Sequence, residues 1–568
     1  MALDGIKFFY SAFCFFFLIK TSICQVRQGT VVRSVEKFPY QARILTSYGE
    51  LFDEESPIKI YTNLGCGGTV ISSRFILTAG HCVPPGKRKE GRVYYRKFAE
   101  VYLGTLLLNP EPRHSLQQVV IGEDGFIDNE NYDHDDPFSL FNDNEDIALL
   151  RTTVPIMIDN VRIARAVLGN PRSMSRTGWI CDVSGWGLST FFEIKRRYRS
   201  PYLKFGRIVI SDRSLCRNYH ALLDEIDADI CTEVFEVKPG YTFDILESKL
   251  PDLTSRITDW VGQMSMQGDS GGPLSCHPQS RPFYSGQHKS VYGVISEGQG
   301  EFSGHFDSKA YKTRVAKHFD WISEHTSGDI LLDGRDATMG QFPHQVAIHK
   351  ANNIGPVCSG TILNNWWVLS SAGCFVENGR VDAGEVDLDI KINPAKQKRT
   401  CEKIKRKNHI ELCKMNEGFV FNRFVRQVDL MDPEKINPKE CAVASWEFTK
   451  KKGKDAGFKK YLTWKEVEFH GVRTPFNVDF PLNVTPKPRV YLKGDPRKTG
   501  PGEGLICVDG DGENKDRKIK NKDRKRYVVG VTFNREPTTW WNNDYKGPNF
   551  IDLRGDLDWI KSNIDNQE

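Results

Sequence analysis

The feature that most constrains the fold is that the chain is written twice. Phe38-Pro39-Tyr40-Gln41 recurs as Phe342-Pro343-His344-Gln345, and Cys66-Gly67-Gly68-Thr69-Val70-Ile71 as Cys358-Ser359-Gly360-Thr361-Ile362-Leu363. Ile76-Leu77-Thr78-Ala79-Gly80-His81-Cys82 returns as Val368-Leu369-Ser370-Ser371-Ala372-Gly373-Cys374, and Cys181-Asp182-Val183-Ser184-Gly185-Trp186 as Cys441-Ala442-Val443-Ala444-Ser445-Trp446. Finally Phe319-Asp320-Trp321-Ile322 matches Leu557-Asp558-Trp559-Ile560. The order is kept, so this is a tandem duplication of a unit far longer than a solenoid repeat. Each copy carries short β-branched runs, such as Val291 to Ser296 or Tyr527 to Thr532, between turn residues, and closes on one helical pattern. That is an all-β signature ended by a C-terminal helix. The small polar residues Thr326-Ser327-Gly328-Asp329 mark the border, giving a first domain over 25–327 and a second over 328–568.

Residues 1–24 hold Lys7 and then a mostly apolar run from Phe8 to Ile19, too short to span a bilayer. They read as a signal peptide, with Ser22 and Cys24 at the −3 and −1 positions and Gln25 as the first mature residue. No second long apolar run follows, so the expectation is a secreted, extracellular protein without a membrane span. Of the 14 cysteines, those outside this leader are expected in disulfides, because the secretory route is oxidising. No CxxC pair or HExxH helix occurs, so neither a metal nor another cofactor is expected. The net charge of +5 is too modest to argue for a nucleic acid partner, although the part from Gly328 onward holds an excess of Lys and Arg.

Chemistry is concentrated in the first copy. Ser270 stands in Gly268-Asp269-Ser270-Gly271-Gly272, a glycine-framed serine that needs a base and a carboxylate from elsewhere to be a nucleophile. Thr78-Ala79-Gly80-His81-Cys82 supplies a histidine, and Asn144-Glu145-Asp146-Ile147-Ala148-Leu149-Leu150 a carboxylate opening an apolar strand. The chain order His, Asp, Ser is that of chymotrypsin-fold enzymes and differs from those of subtilisins and α/β-hydrolases. With the three segments in this order, the chain resembles the trypsin-like (S1) serine proteases. The resemblance implies two tandem chymotrypsin-like domains, each of two six-stranded antiparallel β-barrels with a C-terminal helix.

It further implies catalytic roles for His81, Asp146 and Ser270, an oxyanion hole from the backbone N–H groups of Gly268 and Ser270, and Asp269 as the carboxylate that receives a freed N-terminus. Val26-Arg27-Gln28-Gly29 is the nearest match to an activation sequence, but no Arg or Lys immediately precedes Val26. Met264, Ser296, Glu297, Gly298 and Lys309 fall at the primary pocket, with Met264 where trypsins carry aspartate. Two readings of Lys309 stand: an ammonium that prefers an acidic substrate residue, or a lysine that reaches solvent. The implied disulfides are Cys66–Cys82, Cys181–Cys276, Cys216–Cys231, Cys358–Cys374 and Cys441–Cys507, leaving Cys401 and Cys413 for each other.

The second copy lacks all three catalytic side chains, with Gly373, His409 and Pro501 at the corresponding places. It resembles a pseudoprotease. Its basic runs, above all Lys515 to Arg526, suggest a polyanion or a protein partner, and Asn483-Val484-Thr485 is a glycosylation sequon expected on a surface loop. Two functions are therefore compatible with the sequence: a secreted serine endopeptidase acting on protein or peptide substrates with a non-catalytic second domain, or a wholly non-catalytic homologue that binds or regulates.

Overall fold

The computed structural model describes residues 30–51, 59–62, 65–83, 88–89, 92–132, 145–170, 177–187, 200–211, 229–234, 269–276, 289–296, 309–332, 336–349, 358–431, 441–446, 448–449, 457–458, 461–470, 481–486, 501–508, 525–532 and 550–565. The chain forms two compact units that divide between Ile330 and Leu331. This is three residues beyond the border expected from composition. The helix Phe319–His325 ends just before it with Ser327 (φ 52°) and Gly328 (φ 72°) in the left-handed region. The Gly328 N–H reaches back to the Ser323 carbonyl (2.7 Å), capping the last turn.

Each unit holds two six-stranded antiparallel rings. In the first unit one ring runs through Gln41–Leu51, Cys66–Val70, Phe75–Thr78, Ala148–Arg151 and then Phe126–Asp128. Gln117–Gly122, continuous with Phe126–Asp128 across the one-turn helix Glu123–Gly125 and counted with it as one interrupted strand, pairs with Arg92–Leu103, which pairs with Gln41–Leu51 and makes the sixth. The other ring runs Ile180–Gly185, Lys204–Ile210, Asp229–Val234, Lys309–Arg314, Ser290–Ile295 and Pro273–Cys276, the last pairing back with the first. The second unit repeats both. Gln345–His349, Cys358–Ile362, Trp367–Ser371, Ile410–Met415, Gln397–Lys407 and Arg380–Ala383 form a closed barrel. Cys441–Ser445, Thr463–His470, Pro481–Pro486, Phe550–Asp552, Arg526–Thr532 and Gly504–Val508 close the other, and the helix Leu557–Ile564 follows.

The same packing needs recur in both copies. A Cβ on Gly68 would lie 2.7 Å from Ile44 Cδ1, and one on its counterpart Gly360 would lie 2.8 Å from Val368 Cγ1. At both places a side chain would have to displace core side chains of the filled barrel, and glycine avoids that. Val70 donates to the Tyr40 carbonyl as Ile362 does to His344, so the Phe-Pro-x-Gln repeats occupy equivalent corners. The second of these rings in the first unit is filled by Val183, Ile208, Ile210, Ile230, Leu274, Tyr292 and Ile295. Truncating any one of these to alanine costs about 2–5 kcal/mol.

Five of the expected disulfides are formed: Cys66–Cys82, Cys181–Cys276, Cys358–Cys374, Cys401–Cys413 and Cys441–Cys507. Cys66–Cys82 and Cys358–Cys374 close loops of the same span, 16 residues, which on a chain-entropy account is worth about 3 kcal/mol each. Cys231 is also disulfide-bonded, while Cys216 lies outside the described residues. Asn483 departs from expectation. It sits in the strand Pro481–Pro486 opposite His470 and not on a loop, because Val484 and Thr485 are β-branched and favour an extended backbone. Among the described residues no helix is long and apolar enough to cross a membrane.

Candidate active site

His81 sits on the single helical turn Gly80–Cys82, directly after the strand Phe75–Thr78, and Cys82 is tied back to Cys66. Asp146 lies just ahead of Ala148–Arg151, whose pairing of Ala148 with Thr78 draws the acid onto that turn. Asp146 is 1% exposed. Its Oδ1 accepts the His81 backbone N–H (2.9 Å), and its Oδ2 lies 2.9 Å from His81 Nδ1. A side chain at Gly80 would come within 3.2 Å of that carboxylate and 2.9 Å of the Tyr132 ring, so glycine there leaves room for the approach.

Ser296, expected to line the pocket, donates its hydroxyl to Asp146 Oδ2 (2.5 Å). A buried carboxylate with four lone-pair sites requires such donors. Thr313 Oγ1 donates to the Asp146 carbonyl (3.1 Å), fixing the backbone of the same residue. Burial alone pushes the Asp146 carboxyl up, but the charge of His81 and the hydrogen bonds from its ring, from Ser296 and from the His81 amide outweigh that. The group is held below the usual carboxylate range. An ionised Asp146 requires Nδ1 of His81 to carry the proton, which leaves Nε2 as the basic nitrogen.

The segment of Ser270 is fastened to the same place. The Ser270 carbonyl accepts the Gly67 N–H (2.8 Å), and the Gly271 N–H donates to the Ile295 carbonyl (2.7 Å). Gly271 has φ 76°, and a Cβ on it would lie 2.2 Å from Thr78 Oγ1 and 3.2 Å from Cys82 Sγ. Ser270 is thus anchored against residues that flank His81. Asp269 Oδ1 accepts the Gly187 N–H (2.7 Å), and its carboxylate fills space that a side chain on Gly185 or Gly187 would need.

Met264, Gly268, Glu297 and Gly298 lie outside the described residues, as do Gln25, Val26 and the leader. Lys309 falls on the strand Lys309–Arg314 opposite Glu233. Sequence reasoning passed over Thr313 on that strand, since it does not belong to the serine, histidine or acid motif. Among the described residues one cluster has metal-ligand composition, Cys66, His81 and Cys82, and its two sulfurs are spent on a disulfide.

The second unit keeps the framework with different side chains. Ser359 N–H donates to the Pro501 carbonyl (3.0 Å) as Gly67 does to Ser270, and Gly502 (φ 83°) donates to Thr532 as Gly271 does to Ile295. Strand register sets His409 at the place of Asp146, but the carboxylate in use comes from Glu411. Glu411 is fully buried, accepts the Gly373 N–H (2.7 Å) and the Phe375 N–H (3.1 Å), and pairs with Arg406. An acid two residues after the expected position was the signal, and the family pattern drew attention to His409 instead.

The Trypsin family model matches residues 28–239 and 331–470, well over half of the chain and part of each unit. A fibrinogenase, alpha- and beta-fibrinogenase stejnefibrase-1 of Trimeresurus stejnegeri, is 27% identical over 265 residues, 46% of this chain and 78% of that protein. The thrombin-like enzyme elegaxobin-1 of Protobothrops elegans is 27% identical over 279 residues, 49% of this chain and 91% of that one. Anionic trypsin of Canis lupus familiaris is 24% identical over 269 residues, 47% of this chain and 83% of its own length. With this family match across both of its chymotrypsin-like units, the chain belongs to the trypsin family of serine proteases.

Proposed function

We propose that the first unit is a secreted serine endopeptidase working through an acyl-enzyme on Ser270, and that the second, over 328–568, is a pseudoprotease that binds or regulates. The observation that carries this reading is the buried Asp146 holding His81 through both its amide and Nδ1, with the Ser270 segment pinned beside it. In the reaction His81 Nε2 takes the Ser270 Oγ proton as Oγ attacks the peptide carbonyl. It then passes that proton to the leaving amine. The backbone N–H groups of Gly268 and Ser270 stabilise the oxyanion, a donor of this kind contributing about 3–4 kcal/mol to the barrier. Water then attacks the acyl-enzyme by the same route in reverse.

The formed disulfides favour an oxidising, extracellular setting. For the second unit, Gly373 and Pro501 supply neither base nor nucleophile. Its strand Gln397–Lys407 carries Lys398, Lys403, Lys405 and Lys407, and Lys403 lies directly across from Lys414, a like-charge pair that a bound polyanion would relieve. The partner proposed for this unit is therefore a polyanion, and glycosylation at Asn483 is proposed with it. The activity is tested by peptide hydrolysis with the purified full chain, which Ser270→Ala should abolish.

A further inference from the structure

We propose that Glu145 is a positioning residue for the catalytic pair, fastening Asp146 to the start of the terminal helix so that it stays at bonding distance from His81. This rests on the reading of Ser270 as the nucleophile. Glu145 stands directly before Asp146, and its carbonyl accepts the Ile147 N–H (2.7 Å), which closes a three-residue turn with Asp146 at its apex. Turning that segment therefore turns the catalytic carboxylate. The Glu145 side chain holds it still: Oε2 accepts the Asn129 amide N–H (3.0 Å) and lies 3.3 Å from His318 Nδ1, while Oε1 accepts Lys317 Nζ (2.9 Å). Asn129 and His318 are both buried, and His318 caps the helix Phe319–His325.

Asn129 also reaches the other half of the pair. It follows the strand Phe126–Asp128, whose Asp128 lies across from Ala148. Its Oδ1 accepts the Asn131 N–H (3.0 Å), and its carbonyl accepts the Tyr132 N–H (3.0 Å). That turn sets the Tyr132 ring against Gly80, the residue before His81, where a Cβ would lie 2.9 Å from the ring. One buried asparagine thus ties the neighbour of Asp146 and the neighbour of His81 to the same point.

The duplication provides an internal control. Ala148 pairs with Thr78 as Glu411 pairs with Ser370, and Asp128 lies across from Ala148 as Arg406 lies across from Glu411, so Lys407 takes the place of Asn129. The residue that caps the terminal helix is His318 in one copy and Asp556 in the other. In the second copy these two places join directly, with Lys407 Nζ 2.9 Å from Asp556 Oδ1. Asn408, at the place of Glu145, is exposed on the two-residue turn between the paired Lys407 and Ile410. The strand-to-helix link is thus made in both copies. In the copy that holds His81, Asp146 and Ser270 it is routed through the residue next to the catalytic acid, a detour that joining strand to helix does not require.

The test measures the rate at which a fluorophosphonate labels Ser270 in the full chain, together with the fraction of sites that finally label. Glu145→Ala is expected to slow labelling about 10- to 100-fold, since misplacing a catalytic group by about 1 Å costs up to about 100-fold, while the same fraction labels in the end. Glu145→Gln keeps a carbonyl for Asn129 and His318 and gives up the pair with the partly exposed Lys317, so it should stay within about 5-fold of the unmodified chain. Glu145→Ala labelling at the unmodified rate, whether at all sites or at a reduced fraction of them, marks a purely structural residue and overturns the assignment. Glu145→Gln as slow as Glu145→Ala overturns it too, and both results leave the protease reading standing. No labelling of the unmodified chain overturns both.

Discussion

Replacing Ser296 by alanine removes one hydroxyl that donates to Asp146 Oδ2 at 2.5 Å, and leaves the other bonds to that carboxylate in place. Because Asp146 is 1% exposed, water cannot step in freely. A hydrogen bond to a charged group contributes about 1.5–3 kcal/mol, and the loss falls on the state in which Asp146 is ionised and His81 becomes a cation. That converts to a drop of about 10- to 100-fold in kcat/KM. The pH dependence has a fixed sign. Asp146 is held below its ordinary pKa, so its contribution is present above the unfolded value and is lost as pH falls through the folded one. Without the Ser296 donor the folded pKa rises, and the acid limb of activity and stability must move to higher pH. Kinetics normalised to fluorophosphonate-titrated sites, run across pH with a thermal melt at each point, measure both effects. Unchanged kcat/KM together with an unmoved acid limb would refute the role given to Ser296.

Gly271→Ala should abolish labelling of Ser270 and lower the melting temperature, since φ 76° and a Cβ 2.2 Å from Thr78 Oγ1 strain the segment; labelling at the wild-type rate would contradict this. Glu411→Ala should destabilise the second unit by about 3 kcal/mol, seen by denaturant unfolding, because two amides, of Gly373 and Phe375, lose their acceptor. Burial, followed by the charge of Arg526, lowers the pKa of His344 to about 3, so the unfolded chain binds more protons between there and the ordinary histidine value. The second unit should therefore lose stability as pH falls from about 6.5, a slope that His344→Gln flattens in pH-dependent melts. Serine at Lys403, Lys405 and Lys414 should move elution of the full chain from heparin to lower salt, and unchanged elution would remove that strand from the polyanion site.

The duplication and the catalytic motif were legible because both rest on short segments whose chemistry tolerates little change. Glycine at 68 and at 360 leaves room for the core side chains of Ile44 and Val368, so the framework declares itself twice. What was not legible depends on which strand residues face each other. Glu411 escaped notice because a longer acid two positions on can reach the amide that Asp146 serves in the first unit. The bonds that Ser296 and Thr313 make to Asp146 were hidden for the same reason, as their partner is more than a hundred residues away in sequence.

The central claim is that Ser270 is the nucleophile of a working site in the first unit. Treating the purified full chain with a labelled fluorophosphonate and mapping the adduct by peptide mass spectrometry tests it most directly. The account predicts a single adduct on Ser270, absent in Ser270→Ala and unaffected by serine replacements in 328–568. An adduct elsewhere, labelling that survives Ser270→Ala, or no adduct at all would contradict it.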